Sequence, residues 1–400
     1  MSRIISPAAD TMPIMTDHPA TVNRVLQIVE PGIDGVFRHV EGLVDYLHER
    51  NIPVDLAFSS RRGSDRLLAL VERVRERGGE ALDLRVGNTP EPTDVPAILT
   101  LVRMTRRRKP AVIHAHSSKA GALMRMLPRL LLAQRTFYTP HAYFGMRNTA
   151  GIKAQVFNQV ERLLWRKALT INVSQEEADF ATGTLGVSER RLRVIPNGVD
   201  TRRFRSFTAA EKVAWRLERK MPEDAVVLGT VGRFSFQKNP ETLVRAVLNV
   251  LPRHPRLHFF AVGTGELVEV CEQMVRTSSV ADRFHRIDYL SDTAPFYGAI
   301  DGFALASRYE GLSIAVLEAL SAGLPIILTD VPGNRTFLHK GLTHAWGAAA
   351  CDVAGLEAAI EGWLADHAAN RASNHRAIAD HDFSLDSSYG HILQEYGITA

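Results

Sequence analysis

Only two of the 400 residues are cysteine, Cys271 and Cys351, and neither belongs to a CxxC pair or a Cys/His cluster. That excludes a disulfide framework and a structural zinc module, and it fits a reducing compartment. Long apolar runs are missing as well. The best candidate, Gly121 to Ala133, is broken by Arg125, Pro128 and Arg129, short of the roughly 18 apolar residues that would suggest a membrane span. Residues 1–22 hold Pro7, Pro13 and Pro19 but no continuous apolar stretch, so they read as a loose leader rather than a signal peptide, and a cytoplasmic protein is expected. Acidic residues are absent between Asp94 and Glu161, an interval with eleven Lys and Arg. No helix-turn-helix, zinc or RNA-binding signature accompanies that charge, so no nucleic-acid partner is expected.

What is present is an alternation. Short apolar runs that read as strands, at 25–29, 54–58, 111–115, 136–139 and 169–173, are separated by helical patterns such as 36–47, 67–77 and 98–108. The rhythm restarts with strand-like runs at 226–231, 257–262, 283–287, 302–306 and 325–329. Such alternation predicts an α/β protein with parallel sheets and right-handed crossovers. Two series meeting near the turn-forming Pro196-Asn197-Gly198 predict two doubly wound Rossmann-like domains facing across a cleft. Ligands then bind beyond the carboxyl ends of the strands.

Two acids and two bases fall at such ends. Glu310 and Glu318 lie in RYEGLSIAVLEALSAGLPIILTD. The segment from about Ser313 to Ala322 is apolar nearly all round, so Glu318 should be partly buried and in need of donors, which ribose hydroxyls could supply. Gly311 lets a ligand approach the backbone, and the amides of Gly311, Leu312 and Ser313 ahead of the helix would suit a diphosphate. Taken alone, the glutamates could equally be a helix-terminus partner and a surface residue. Arg233 and Lys238 share one strand-to-helix loop in which Asn239 can cap a helix beginning at Pro240, and two fixed cations there complement a diphosphate. Gly263-Thr264-Gly265 is a Gly-x-Gly without a third glycine, more often a tight turn than a nucleotide loop.

Together these segments resemble the signature of the retaining family 4 glycosyltransferases of GT-B fold, over roughly residues 23–398. The resemblance implies that Glu310 contacts the transferred sugar, Glu318 the ribose, Arg233 and Lys238 the donor phosphates, Gly263 the equivalent turn, and the backbone at Leu290 the nucleobase. It also places Gly35 of Glu30-Pro31-Gly32-Ile33-Asp34-Gly35 near the phosphates, although the usual glycine pair is here Asp34-Gly35. His141 would sit beside the donor sugar, with Ala142 replacing a common glycine, and His116 and Lys119 would face the acceptor or donor. The implied division is a leader (1–22), an acceptor-side domain (23–197), a nucleotide-sugar domain (198–383) and a terminal helix (384–400) returning to the first domain.

The implied activity is retaining transfer from a UDP- or GDP-sugar to a glycan or lipid-linked acceptor, in bacterial exopolysaccharide or lipopolysaccharide assembly. No cofactor is obligatory and no metal ligand is assigned, Asp380-His381-Asp382 being incidental. An epimerase or inverting transferase on a similar frame is the nearest alternative, and a non-catalytic membrane or nucleic-acid module a more distant one. A nicotinamide oxidoreductase is disfavoured by the lack of a complete GxGxxG. The acid-free stretch could be a solvated face. Anionic lipid is the preferred reading, with Leu123, Met124, Leu127, Leu130 and Leu131 either dipping into the membrane or packing inward.

Overall fold

Residues 24–133, 135–146, 151–367 and 373–398 are described by the computed structural model; the leader lies outside them. The first sheet contains β1 (Val25–Val29), β2 (Val54–Phe58), β3 (Ala81–Asp83), β4 (Val112–His116), β5 (Arg135–Thr139), β6 (Leu169–Asn172) and β7 (Leu192–Val194), in the order β3-β2-β1-β4-β5-β6-β7. Its pairings are parallel, with Val25 flanked by Val54 and Val112. The second contains β8 (Val226–Val231), β9 (Leu257–Val262), β10 (Phe284–Ile287), β11 (Gly302–Leu305), β12 (Ile326–Thr329) and β13 (Ala345–Ala348), in the order β10-β9-β8-β11-β12-β13. In both, the order reverses beside the first strand, between β1 and β4 and between β8 and β11, where open parallel sheets form their binding crevice.

The strands are short apolar runs because helices cover both faces. All five residues of β1 and all six of β9 are buried. Strands β3, β7 and β13, not anticipated from the sequence, have three or four residues each. They are edge pairings too short to carry a periodic signal.

The chain crosses between the sheets twice. Val199 donates its amide to the Phe383 carbonyl at 2.8 Å, and Ser384 then caps the Leu385–Glu395 helix by accepting from the Ser387 amide. That helix packs on the Asp34–Glu49 helix of the first domain. Tyr389 donates its hydroxyl to the His39 carbonyl at 3.0 Å, and Tyr389, Ile392, Leu393 and Tyr396 are buried in the core of the first sheet. Gly42 permits this approach, since a Cβ there would lie 2.6 Å from the Tyr389 hydroxyl oxygen.

The expectation of uncompensated charge in the acid-free interval is corrected in part, because acids from outside it fold against four of its cations: Arg107 meets Glu80, Arg108 meets Asp55 at 2.8 Å, Lys119 meets Asp94 at 2.5 Å and Arg125 meets Glu161 at 2.8 Å. Arg147 and the side chain of Lys153 lie outside the described residues. The leucine cluster divides, with Leu123, Met124 and Leu127 buried while Leu130 is 82% exposed. No helix among the described residues is long and apolar enough to cross a membrane.

Candidate functional site

On the second domain, β8 ends at Val231 and the chain turns through Gly232 and Arg233. The turn after β9 supports this loop: Phe234 donates its amide to the Thr264 carbonyl at 2.8 Å, and Gly232 donates to Val262 at 3.0 Å. Gly263 has φ +150° and a Cβ there would fall 1.9 Å from the Gly232 oxygen, so this turn requires glycine. Gly263-Thr264-Gly265 therefore shapes the Arg233 loop from beneath. Asn239 precedes the Pro240–Val250 helix as expected but does not cap it with its side chain. Its backbone is left-handed, which turns the amide toward the Ala306 carbonyl at 3.2 Å and the guanidinium of Arg308 at 2.9 Å. Asn239 thereby ties the Arg233 loop to the loop after β11.

That tie brings Lys238 to Glu310. The ammonium lies 2.6 Å from the Glu310 Oε1, to which the Ser307 hydroxyl also donates at 2.6 Å. Glu310 is buried, and a buried carboxylate is tolerable when so paired. The Ile314–Ser321 helix follows, with Ser313 at its N-cap and Gly323 beyond its end at φ +74°. The Ser313 side chain makes no capping bond, and its buried Oγ has no hydrogen-bond partner. Glu318 projects from this helix among apolar neighbours and is buried. Arg38 of the first domain reaches across and binds Glu318 Oε1, and the buried Tyr297 hydroxyl stands beside the same carboxylate and acts on it, although Glu318 Oε2 has no partner of full hydrogen-bond geometry. Desolvation pushes the Glu318 carboxyl above its ordinary range, opposed by Arg38. Leu290 is half-buried against the second domain's core.

The first domain closes over this wall at several points. A Cβ on Gly311 would lie 2.7 Å from Glu177 Oε1 and 2.9 Å from the Ala142 nitrogen, so only glycine fits where Gly311 meets His141-Ala142. A Cβ on Gly35 would lie 3.8 Å from Ile314. Asn197 donates to the Leu312 carbonyl at 2.9 Å. His141 and Ala142 take left-handed φ values of 51° and 79°, which explains why glycine would be easier at 142. The buried Glu177 holds that strained turn, accepting from the Ala142 and Val173 amides. Burial raises the Glu177 pKa to about 7 against those two bonds.

His141 faces His116, the last residue of β4, with Nε2 3.2 Å from His116 Nδ1. His116 Nε2 is 2.8 Å from Gln27 Oε1. His39, on the Asp34–Glu49 helix, completes a trio whose ring centroids are 4.8 to 5.5 Å apart. Burial lowers the pKa of His39 to about 4, with Asn197 opposing. Burial and the neighbouring imidazoles drive His116 and His141 well below the ordinary value. All three rings are neutral at pH 7. Lys119 is engaged within the first domain: its ammonium contacts Asp94 at 2.5 Å, donates to the Thr89 carbonyl at 2.7 Å and acts on Glu30 at the start of the Gly35 loop.

The structure thus gathers Glu310, Lys238, Gly311, Leu312, Ser313 and Glu318 on one wall and His116 and His141 on the other, with Gly35 against the helix start. Arg233 is exposed in the adjoining loop. Sequence reasoning missed Arg38, His39 and Glu177. Arg38 and His39 were visible only as part of an amphipathic helix, and Glu177 as one acid of a Gln-Glu-Glu run.

Residues 225–366 match the family model "Glycosyl transferases group 1" and residues 33–203 match "Glycosyltransferase Family 4". The chain is 28% identical over 251 residues to the UDP-Gal:alpha-D-GlcNAc-diphosphoundecaprenol alpha-1,3-galactosyltransferase of Escherichia coli, covering 60% of this chain and 63% of that protein. The lipopolysaccharide core biosynthesis glycosyltransferase LpsE of Rhizobium meliloti is 26% identical over 333 residues, with 83% of this chain and 86% of that protein covered. Among solved structures, Anabaena Alr3699/HepE in complex with UDP superposes with TM-score 0.77 at 19% identity, over 93% of this chain and 98% of that one. The glycosyltransferase WaaG superposes with TM-score 0.72 at 14% identity, over 92% and 98%.

Proposed function

This chain belongs to the glycosyltransferases of group 1 and family 4, with the GT-B fold, and from that premise we propose that it transfers a sugar from a UDP- or GDP-sugar, with retention, to a hydroxyl of a glycan or lipid-linked acceptor. The observation that carries this reading is the state of Glu318: a buried carboxylate between Arg38 and Tyr297 with one oxygen short of a well-aligned donor, on the helix whose N-cap hydroxyl also lacks a partner. Leaving such an acceptor unmade costs about 1 to 3 kcal/mol, and ribose hydroxyls are the donors that remove the cost. The diphosphate then lies against the start of the Ile314–Ser321 helix, between Arg233 and Lys238, and Glu310 meets the sugar.

In this arrangement the bond from the anomeric carbon to the diphosphate breaks while the acceptor oxygen bonds to that carbon on the same face, the acceptor's proton passing to the departing phosphate. Arg233, Lys238 and the helix terminus stabilise the charge growing on the leaving group, where electrostatic catalysis is most effective. His141 packs beside the sugar. The named relatives act on an undecaprenol-linked sugar and in lipopolysaccharide core biosynthesis, which supports a role in assembling a bacterial polysaccharide. The exposed Met126, Leu130, Ile152 and Leu163, in or beside the same basic stretch of chain as the exposed Arg103, Arg106 and Arg129, support docking on the anionic inner membrane face, where a lipid-linked acceptor would be met.

The test is a panel of UDP- and GDP-sugars, read by nucleotide release and by the anomeric proton coupling of the product. Acceptor-dependent release of one nucleotide with retained configuration is the expected result. Inverted product would support an inverting transferase, and a free epimerised donor an epimerase.

A further inference from the structure

The histidine trio of the first domain is built as a metal site, and we propose that it binds one divalent transition ion of the zinc class. Its three residues come from separate elements: His39 from the Asp34–Glu49 helix, His116 from the end of β4, and His141 from the left-handed turn after β5. Each offers a ring nitrogen, and those atoms all lie within 4.8 Å of one another. In tetrahedral coordination with Zn–N bonds of about 2.0 to 2.1 Å, ligand nitrogens stand about 3.4 Å apart. His116 Nδ1 and His141 Nε2, at 3.2 Å, already have that spacing. His39 completes the set with a ring shift on the order of 1 Å.

Three features separate this cluster from ordinary packed histidines. Neither buried ring nitrogen of His39 has a partner of full hydrogen-bond geometry, only the Asn197 side chain acting on the ring, an arrangement that a bound ligand would improve. The Asn197 side chain already acts on His39, and its buried Oδ1 has no other partner, so a ring turned toward the ion can offer its second N–H to that oxygen. His116 presents the outer contact that metal-bound histidines use: its Nε2 lies 2.8 Å from Gln27 Oε1, and Gln27 donates to the Tyr396 hydroxyl at 3.2 Å. That chain places the His116 proton on Nε2 and leaves the Nδ1 lone pair facing the trio. A neutral imidazole set selects zinc, copper, nickel or cobalt over magnesium or calcium.

His39 and His116 are buried and His141 is half-buried, so ion and water enter from the His141 side, leaving the fourth position for water. The ion takes no ligand from Arg233, Lys238, Glu310 or Glu318, so it does not occupy the diphosphate position, and through His141 it borders the place of the sugar. Its effect would be to lock helix, strand and turn into one rigid face.

The test does not use sugar transfer, so its failure leaves the transferase reading standing. Tag-free protein stripped with EDTA is titrated with Co²⁺. One equivalent should bind with the intense visible absorption of a tetrahedral ion, be displaced by Zn²⁺, and raise the melting temperature. His39→Ala and His141→Ala should each lose the absorption and the stabilisation. In case those variants unfold, anomalous scattering at the zinc edge from wild-type crystals should give one peak between the three rings. No stoichiometric Co²⁺ binding by the wild type, binding unchanged in both folded variants, or a peak at another site such as the His258–His285 pair would overturn the proposal.

Discussion

The two walls of the cleft use opposite chemistry. The second domain presents charge held in pairs, with Lys238 on Glu310 and Arg38 reaching in to Glu318. The first presents neutral, buried imidazoles that burial keeps unprotonated. A charged wall suits binding and releasing a charged group, since each paired residue can exchange its partner for a ligand. A neutral wall suits a sugar or an imidazole-binding ion, because it adds no repulsion when the cleft closes.

The comparison can be broken most forcefully at the charged wall. Lys238→Ala removes the proposed phosphate contact and leaves Glu310 buried without its cation, and kcat/KM for transfer should fall by roughly 100- to 1,000-fold. Unchanged kinetics would remove both residues from the mechanism. Glu318→Ala should weaken nucleoside diphosphate binding by about 10- to 100-fold, the loss of one or two hydrogen bonds to a charged group, as calorimetry would detect. Gly311→Ala should raise KM more than it lowers kcat, because the added methyl collides with Ala142 and Glu177 only when the walls meet.

A smaller effect tests the frame behind the charged wall. Asp301 is buried, which opposes its ionisation, but Lys212 and Arg216 at 2.9 and 2.8 Å and the Val227 amide outweigh burial and lower its pKa. A folded-state pKa below the unfolded one gives stability that is full above the unfolded value near 3.8 and lost as pH falls through the lowered one. Asp301→Asn should therefore lower the melting temperature at pH 7 and flatten its decline in acid. The smallest effect concerns the membrane: because four cations of the basic stretch are already paired with acids, preference for anionic over neutral vesicles should be modest and should drop with Leu130→Ser.

Legibility from sequence followed the same divide. β1, β2, β8 and β9 were readable to the residue because each is a short, mostly apolar run, interrupted only by single residues such as Gln27, Asp55 and His258. Glu310, Gly311 and Ser313, and Arg233 with Lys238, were readable because each group is local in the chain. The partners that give the site its state were not. Arg38 meets Glu318 across 280 positions, and His39 meets His116 and His141 only through the packing of a helix on two strands. Lys119 likewise has a partner that its position after a strand does not announce, Asp94 of the preceding helix. Long-range ion pairs also escape any count of charge along the sequence, which is why the basic interval seemed more exposed than it is.

The most direct test of the account is a crystal structure of the protein with UDP, or with GDP should UDP not bind. The account predicts the diphosphate at the start of the Ile314–Ser321 helix between Arg233 and Lys238, the ribose hydroxyls on Glu318, and Arg38 displaced from that carboxylate. A nucleotide bound elsewhere, with Arg38 still on Glu318 and no density between Arg233 and Lys238, would contradict it.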